Sequence, residues 1–207
     1  MKRKDTVYSI HTDRLILRCW QPQDAKLLEE AIDTSLDHLN PWMPWVSQEP
    51  EDLQSKIERL RKFRGEFDLG IDFVYGVFNK QESQVLGGCG LHTRLGKHVR
   101  EIGYWIRSDS INQGFATELS MALVKVAFNI DEVERVEIQC DPQNQASLAI
   151  PKKLKFNHEA TLTKRAKGVD GKPRDTMIWT LFRENYPNTP ASLAKITTFD
   201  VLDNQLF

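Results

Sequence analysis

Gln113-Gly114-Phe115-Ala116-Thr117-Glu118 reads as a small-residue turn opening a helix, just after the strand-like run Glu101-Ile102-Gly103-Tyr104-Trp105-Ile106. The first N–H groups of a helix have no intrahelical acceptor and sit at the positive end of its dipole, so such a junction suits an anion such as a diphosphate. Gly114 and Ala116 keep bulky side chains away from that backbone. The turn is not a Walker A loop, since Gly-Lys-Ser/Thr is missing, and it is not a Gly-x-Gly-x-x-Gly fingerprint. Taken alone it also describes an ordinary loop-to-helix junction. A second stretch, Cys140-Asp141-Pro142-Gln143-Asn144-Gln145-Ala146-Ser147, follows another strand and starts another helix. By residue type alone, Asn144 reads first as the N-cap of that helix.

These turns need strands to carry them. Arg14–Trp20, Phe73–Phe78, Val85–Leu95, Val99–Arg107, Val133–Cys140, Phe156–Lys164 and Thr176–Phe182 have the apolar alternation or β-rich composition of strands. Helices are expected at Ala25–Ile32, Glu51–Phe67, Gly114–Ile130 and Asn144–Lys155, where apolar residues recur three and four apart. Pro41 and Pro44, interleaved with Trp42 and Trp45, forbid a regular helix through Leu39–Trp45. The order is a mixed sheet with helices, not the strict alternation of a doubly wound fold. The tail, residues 187–207, is expected to be disordered by default. Its Ile196–Leu202 segment is a candidate edge strand or partner contact.

Composition narrows the class. The chain has 207 residues, 40% hydrophobic and 28% charged, which suits one soluble globular domain. Lys plus Arg is 28 against 29 for Asp plus Glu, so a general nucleic-acid coat or a polybasic membrane binder is disfavoured. No apolar run is long enough to span a bilayer, and the basic start is not followed by a signal-peptide core. The three cysteines, Cys19, Cys89 and Cys140, are scattered through apolar segments and lack metal-ligand spacing. A reduced, cytoplasmic setting without a bound metal is the expectation.

The ordered set Glu-Ile-Gly-Tyr-Trp, Gln-Gly-Phe-Ala-Thr-Glu, Arg-Val-Glu-Ile-Gln-Cys-Asp-Pro-Gln-Asn-Gln-Ala-Ser and Arg-Asp-Thr-Met-Ile-Trp-Thr-Leu resembles the GNAT N-acetyltransferase superfamily. Leu39–Trp45 and Gly90-Leu91-His92 are similar to its ribosomal-protein N-acetyltransferase branch. The resemblance covers roughly residues 10 to 186, read as one domain over 1–186. It implies an α+β fold with a mixed, splayed sheet flanked by helices. It implies acetyl-CoA as cosubstrate, with the pantetheine arm paired to the backbone of Trp105, Ile106 and Arg107 like an added strand. The diphosphate is expected on the N–H groups of Asn112, Gln113, Gly114, Phe115, Ala116 and Thr117. Asn144 is expected to reach the pantetheine or acetyl region.

The resemblance also implies an acceptor amine, a protein N-terminus or a small amine, walled by Trp42, Trp45 and Tyr104. Glu101 leads as the base for the amine proton and His92 follows it. Many relatives carry a Tyr seven residues after the Asn as acid to the leaving thiolate. Here that place is Pro151, and Ser147 is the nearest replacement. Other departures are Ile111, Asn112 and Lys155, where the pattern has Gln or Arg, Gly and Gly. Arg94, Lys97, His98 and Arg100 make a basic hairpin, and Lys152 and Lys153 are candidates for the CoA 3′-phosphate, although solvated charge explains both groups. Two classes stay open: an acetyl-CoA-dependent N-acetyltransferase, as monomer or homodimer, and a non-catalytic acyl-CoA-binding module.

Overall fold

The computed structural model describes residues 6–207. Its strands are β1 (Ser9–His11), β2 (Leu15–Cys19), β3 (Phe73–Asn79), β4 (Val85–His92), β5 (Val99–Ile106), β6 (Arg135–Cys140), β7 (Asn157–Lys167), β8 (Pro173–Phe182) and β9 (Thr197–Phe199). Its α-helices are α1 (Ala25–Asp33), α2 (Leu36–Leu39), α3 (Leu53–Asp68), α4 (Phe115–Asn129) and α5 (Gln145–Lys153). The strands form one mixed sheet in the order β7-β8-β6-β5-β4-β3-β2-β1-β9.

Strand alternation sorts side chains onto two faces. Leu17, Tyr75, Val77, Cys89, Leu91, Ile102 and Ile138 point to the face that α4 and α5 cover with Leu119, Leu123, Ala127 and Leu148. Ile16, Phe78 and Val85 point to the other, under Leu28, Ala31 and Ile32 of α1 and Leu60 of α3. Each face therefore buries its own apolar cluster.

The sheet parts in the middle. β5 and β6 run parallel, and their pairing covers only Val99–Glu101 against Arg135–Glu137. Past that point β5 stays bonded to β4 through Ile106, and β6 stays bonded to β8 through Cys140. This is the splayed, mixed α+β sheet that the sequence resemblance implies.

Three local features differ from the expectation. β1 has three residues, too few to show periodicity, and it pairs with β2 and β9. The tail is ordered: Thr197–Phe199 adds the edge strand, and Leu206 and Phe207 fold back to bond Thr198. The β7–β8 hairpin is longer at its tip than the alternation suggests, running to Lys167 and from Pro173. The proline segment behaves as its chemistry dictates, since α2 stops at Leu39 and a 3-10 turn begins at Pro44.

Candidate active site

A cavity of about 690 Å³ lies at the parting of β5 and β6 and reaches both faces of the sheet. On the α1–α3 face it is walled by Trp42, Trp45, Asp72, His92, Glu101 and Trp105. On the α4–α5 face it meets Tyr104, Ile138, Cys140, Asn144 and Ser147. β5 supplies both sets because neighbouring residues on a strand point to opposite faces.

On the α1–α3 face, Gly88, Gly90 and His92 of β4 lie across from Trp105, Gly103 and Glu101 of β5. The glycines make room for the rings: an added methyl at Gly88 would fall 2.6 Å from Trp105 Nε1, and one at Gly90 would fall 2.7 Å from His92 Nε2. His92 Nδ1 lies 2.7 Å from Asp72 Oδ2. Burial works to raise the Asp72 carboxyl, but the His92 hydrogen bond and charge, with backbone N–H donors, outweigh it and hold Asp72 below the usual range. Glu101 is buried, and both its oxygens accept from the Arg94 guanidinium, one at 2.7 Å from Nε. Its parallel neighbour Glu137 is likewise buried and accepts from Arg135 Nε at 2.9 Å. Two carboxylates thus sit side by side where the strands part, each with its own arginine.

On the other face, the Tyr104 hydroxyl lies 3.1 Å from Ser147 Oγ and donates to Ser147 O at 3.2 Å. Burial pushes the Tyr104 phenol well above its ordinary value, so it stays protonated and can donate. Asn144 caps α5, its Oδ1 accepting the Ser147 N–H at 3.0 Å. Burial pushes the Cys140 thiol up to about 11, which leaves it a poor nucleophile at neutral pH.

The turn before α4 has a left-handed Asn112 (φ 60°) and a left-handed Gly114 (φ 83°) around Gln113. The N–H groups of Phe115, Ala116 and Thr117 fall in the first turn of α4, where no intrahelical acceptor exists. Arg14 holds this turn: it donates to Gln113 O at 2.8 Å and to Glu118 Oε2 at 2.7 Å, and lies over the Phe115 ring. Ile111 is exposed beside it, so the missing Gln or Arg leaves no hole.

The structure brings Glu101, His92, Ser147, Asn144, Trp42, Trp45, Tyr104 and Trp105 together around one cavity. Trp45 packs on Trp105 with ring centroids 6.1 Å apart, and Trp42 O accepts from Arg174. Asn112 to Thr117 lie outside that wall, at the start of α4. Arg107 is engaged internally: its N–H donates to Leu86 O, its C=O accepts from Ser110, and its buried guanidinium pairs with Glu30 and Asp109. The basic hairpin is partly consumed as well, with Arg94 on Glu101 and Arg100 on Asp131. Sequence reasoning missed Asp72, Arg94 as the partner of Glu101, and the Arg14–Glu118 clamp. Arg94 stands seven residues from Glu101 across a hairpin turn, a spacing that the turn at Gly96 made readable. The other partners come from distant elements and leave no local signal.

A sheet opened between two parallel strands, an anion-ready helix start beyond it and paired proton donors and acceptors inside it are parts that an acyl transfer would need. The chain belongs to the Acetyltransferase (GNAT) domain family, whose model matches residues 14–157. It is similar to the uncharacterized N-acetyltransferase YoaA of Bacillus subtilis, at 26% identity over 84% of this chain and 96% of that one. It is also similar to the ribosomal protein uS5-alanine N-acetyltransferase of Escherichia coli, at 24% identity over 82% of this chain and 88% of that one. Among solved structures, RimJ of Mycobacterium smegmatis, in complex with CoA-disulfide, shares the fold with a TM-score of 0.75 and 21% identity. That match covers 91% of this chain and 92% of RimJ.

Proposed function

We propose that this acetyltransferase moves the acetyl group of acetyl-CoA directly to a primary amine, and that its acceptor is a protein N-terminal α-amine. The observation that carries the reading is the single cavity crossing the sheet where β5 and β6 part. A thioester can enter from the α4 side while an amine approaches from the aromatic side. The relatives support the choice of acceptor, since one of them is named for acetylating the alanine of a ribosomal protein.

The parts divide the work. In an antiparallel ladder alternate residues turn toward the partner strand. Arg107 bonds Leu86, so the alternation turns Tyr104 and Ile106 to the open side, where a pantetheine arm would add as a strand. Of the backbone groups named from the resemblance, Ile106 then serves pantetheine, while Trp105 and Arg107 face β4. The diphosphate would lie on the N–H groups from Asn112 to Thr117. The backbone N–H groups of β5 would polarise the thioester carbonyl. The departing thiolate meets the hydroxyls of Tyr104 and Ser147. The high value of the Cys140 thiol favours a ternary complex over an acetyl-cysteine intermediate.

The test is a thiol-release screen with acetyl-CoA against N-terminal alanyl and seryl peptides, polyamines and free amino acids. The expected outcome is turnover with peptides and little with the others. Turnover confined to polyamines or amino acids would replace the acceptor class. CoA binding without thiol release from any amine would leave a non-catalytic binding module.

A further inference from the structure

We infer that the His92–Asp72 pair, and not Glu101, takes the proton from the attacking amine. The inference rests on the proposed acetyl transfer and assigns a base within it. Asp72 Oδ2 accepts from His92 Nδ1 at 2.7 Å, and Asp72 Oδ1 accepts the Thr93 N–H at 3.2 Å. A carboxylate at Nδ1 makes that nitrogen the protonated one in the neutral ring, so Nε2 keeps its lone pair. The ring lies over two paired glycines, Gly90 and Gly103. A methyl added at Gly103 would sit 3.1 Å from Nε2. Nε2 therefore rests against β5 at Gly103, one residue before Tyr104, whose hydroxyl meets Ser147 on the opposite face.

Glu101 is placed differently. Both its oxygens are taken by N–H groups of Arg94, and Arg94 itself reaches out to solvent. An arginine on both oxygens holds the carboxylate in its charged form and makes it a weaker proton acceptor, while it still offers charge to a passing cation. The other charged groups on the cavity wall are Arg59 from α3 and Asp141 and Arg174 opposite; none of them pairs with His92.

The step balances without another reactant. The amine lone pair forms the N–C bond at the thioester carbonyl, and one amine proton passes to His92 Nε2. The C–S bond breaks, its electron pair leaves with sulfur, and the Tyr104–Ser147 hydroxyl pair supplies the thiol proton. Water then takes the imidazolium proton and restores the hydroxyl pair. The arrangement puts acid and base on opposite faces of one strand.

The experiment compares wild type, His92→Gln, Asp72→Asn and Glu101→Gln. It reads thiol release from acetyl-CoA with an N-terminal alanyl peptide across pH, with CoA affinity measured on each preparation. His92→Gln should keep CoA affinity and lower kcat by about 10²–10⁴, the usual yield of general-base catalysis. Its acidic limb should vanish, and added imidazole should restore part of the rate. Asp72→Asn should keep CoA affinity and lower kcat by about tenfold or more, because the carboxylate no longer fixes the ring's tautomer and orientation. Glu101→Gln should raise the peptide KM and leave the limb in place. Wild-type kcat with an intact limb in His92→Gln would overturn the assignment, as would loss of that limb in Glu101→Gln. If His92→Gln loses CoA binding, Asp72→Asn decides: a wild-type kcat in that variant overturns the assignment. No thiol release by the wild-type protein would instead overturn the functional reading itself.

Discussion

Pro151 has no backbone N–H, so the carbonyl four residues earlier in α5, that of Ser147, lacks its helical donor. Tyr104 fills the vacancy from β5, donating to that carbonyl and lying within reach of Ser147 Oγ. The proline that displaces the usual tyrosine from α5 thus leaves the place where a tyrosine from another element binds. Tyr104→Phe should lower kcat by roughly 10- to 100-fold with a smaller change in acetyl-CoA KM, as steady-state kinetics can read. Ser147→Ala should do the same if the proton passes through Oγ; an unchanged kcat would leave Tyr104 as the sole donor. Asn144, Ser147 and Glu101 were legible in the sequence because each sits at a fixed offset within one local motif. The link from His92 to Asp72 was not, since twenty residues and a whole strand separate them and only the folded sheet closes that distance.

At the scale of elements, the turn before α4 is held from outside. Asn112 and Gly114 curl the backbone, and Arg14, just before β2, ties Gln113 and Glu118 together. Gly114→Glu would place a bulky anion in a left-handed position beside the proposed diphosphate site. CoA affinity, read by calorimetry, should fall at least tenfold, about 1.4 kcal/mol. Arg14→Gln should weaken CoA binding less, because it loosens the turn and leaves the N–H donors in place. The helix and its turn were readable from apolar spacing and glycine. The clamp was not, because a three-residue strand and a turn carry Arg14 there from the far end of the chain. β9 makes the same point. Its pairing with β1 depends on an edge that only the assembled sheet presents, so no periodicity in a three-residue segment could announce it.

For the molecule as a whole, acid should be the first stress it fails. Glu49 has a fully buried carboxylate that accepts from Lys56, itself buried, and from Arg59. Burial works to raise its value, but those cations and the Glu51 N–H outweigh it and hold it low, as the neighbours of Asp72 do there. A carboxylate held low in the folded state stabilises fully above the unfolded value, near pH 4, and loses that contribution as pH falls through the folded value. The melting temperature, followed by calorimetry, should therefore be level from about pH 8 to 5 and drop below about pH 4. Glu49→Gln would strand the buried Lys56 charge. It should cost about 3–5 kcal/mol at neutral pH and flatten the acid slope.

The cavity is lined from both faces of the sheet. On the proposed reading, a molecule made by tethering CoA through its sulfur to an alanyl peptide would meet the cavity from both faces at once. Binding of its second half becomes intramolecular, so the conjugate should bind roughly 10²–10⁴-fold more tightly than CoA alone. The same conjugate with its linker cut short by one methylene should lose most of that gain. The thickness of a single β-strand then acts as the ruler for an inhibitor.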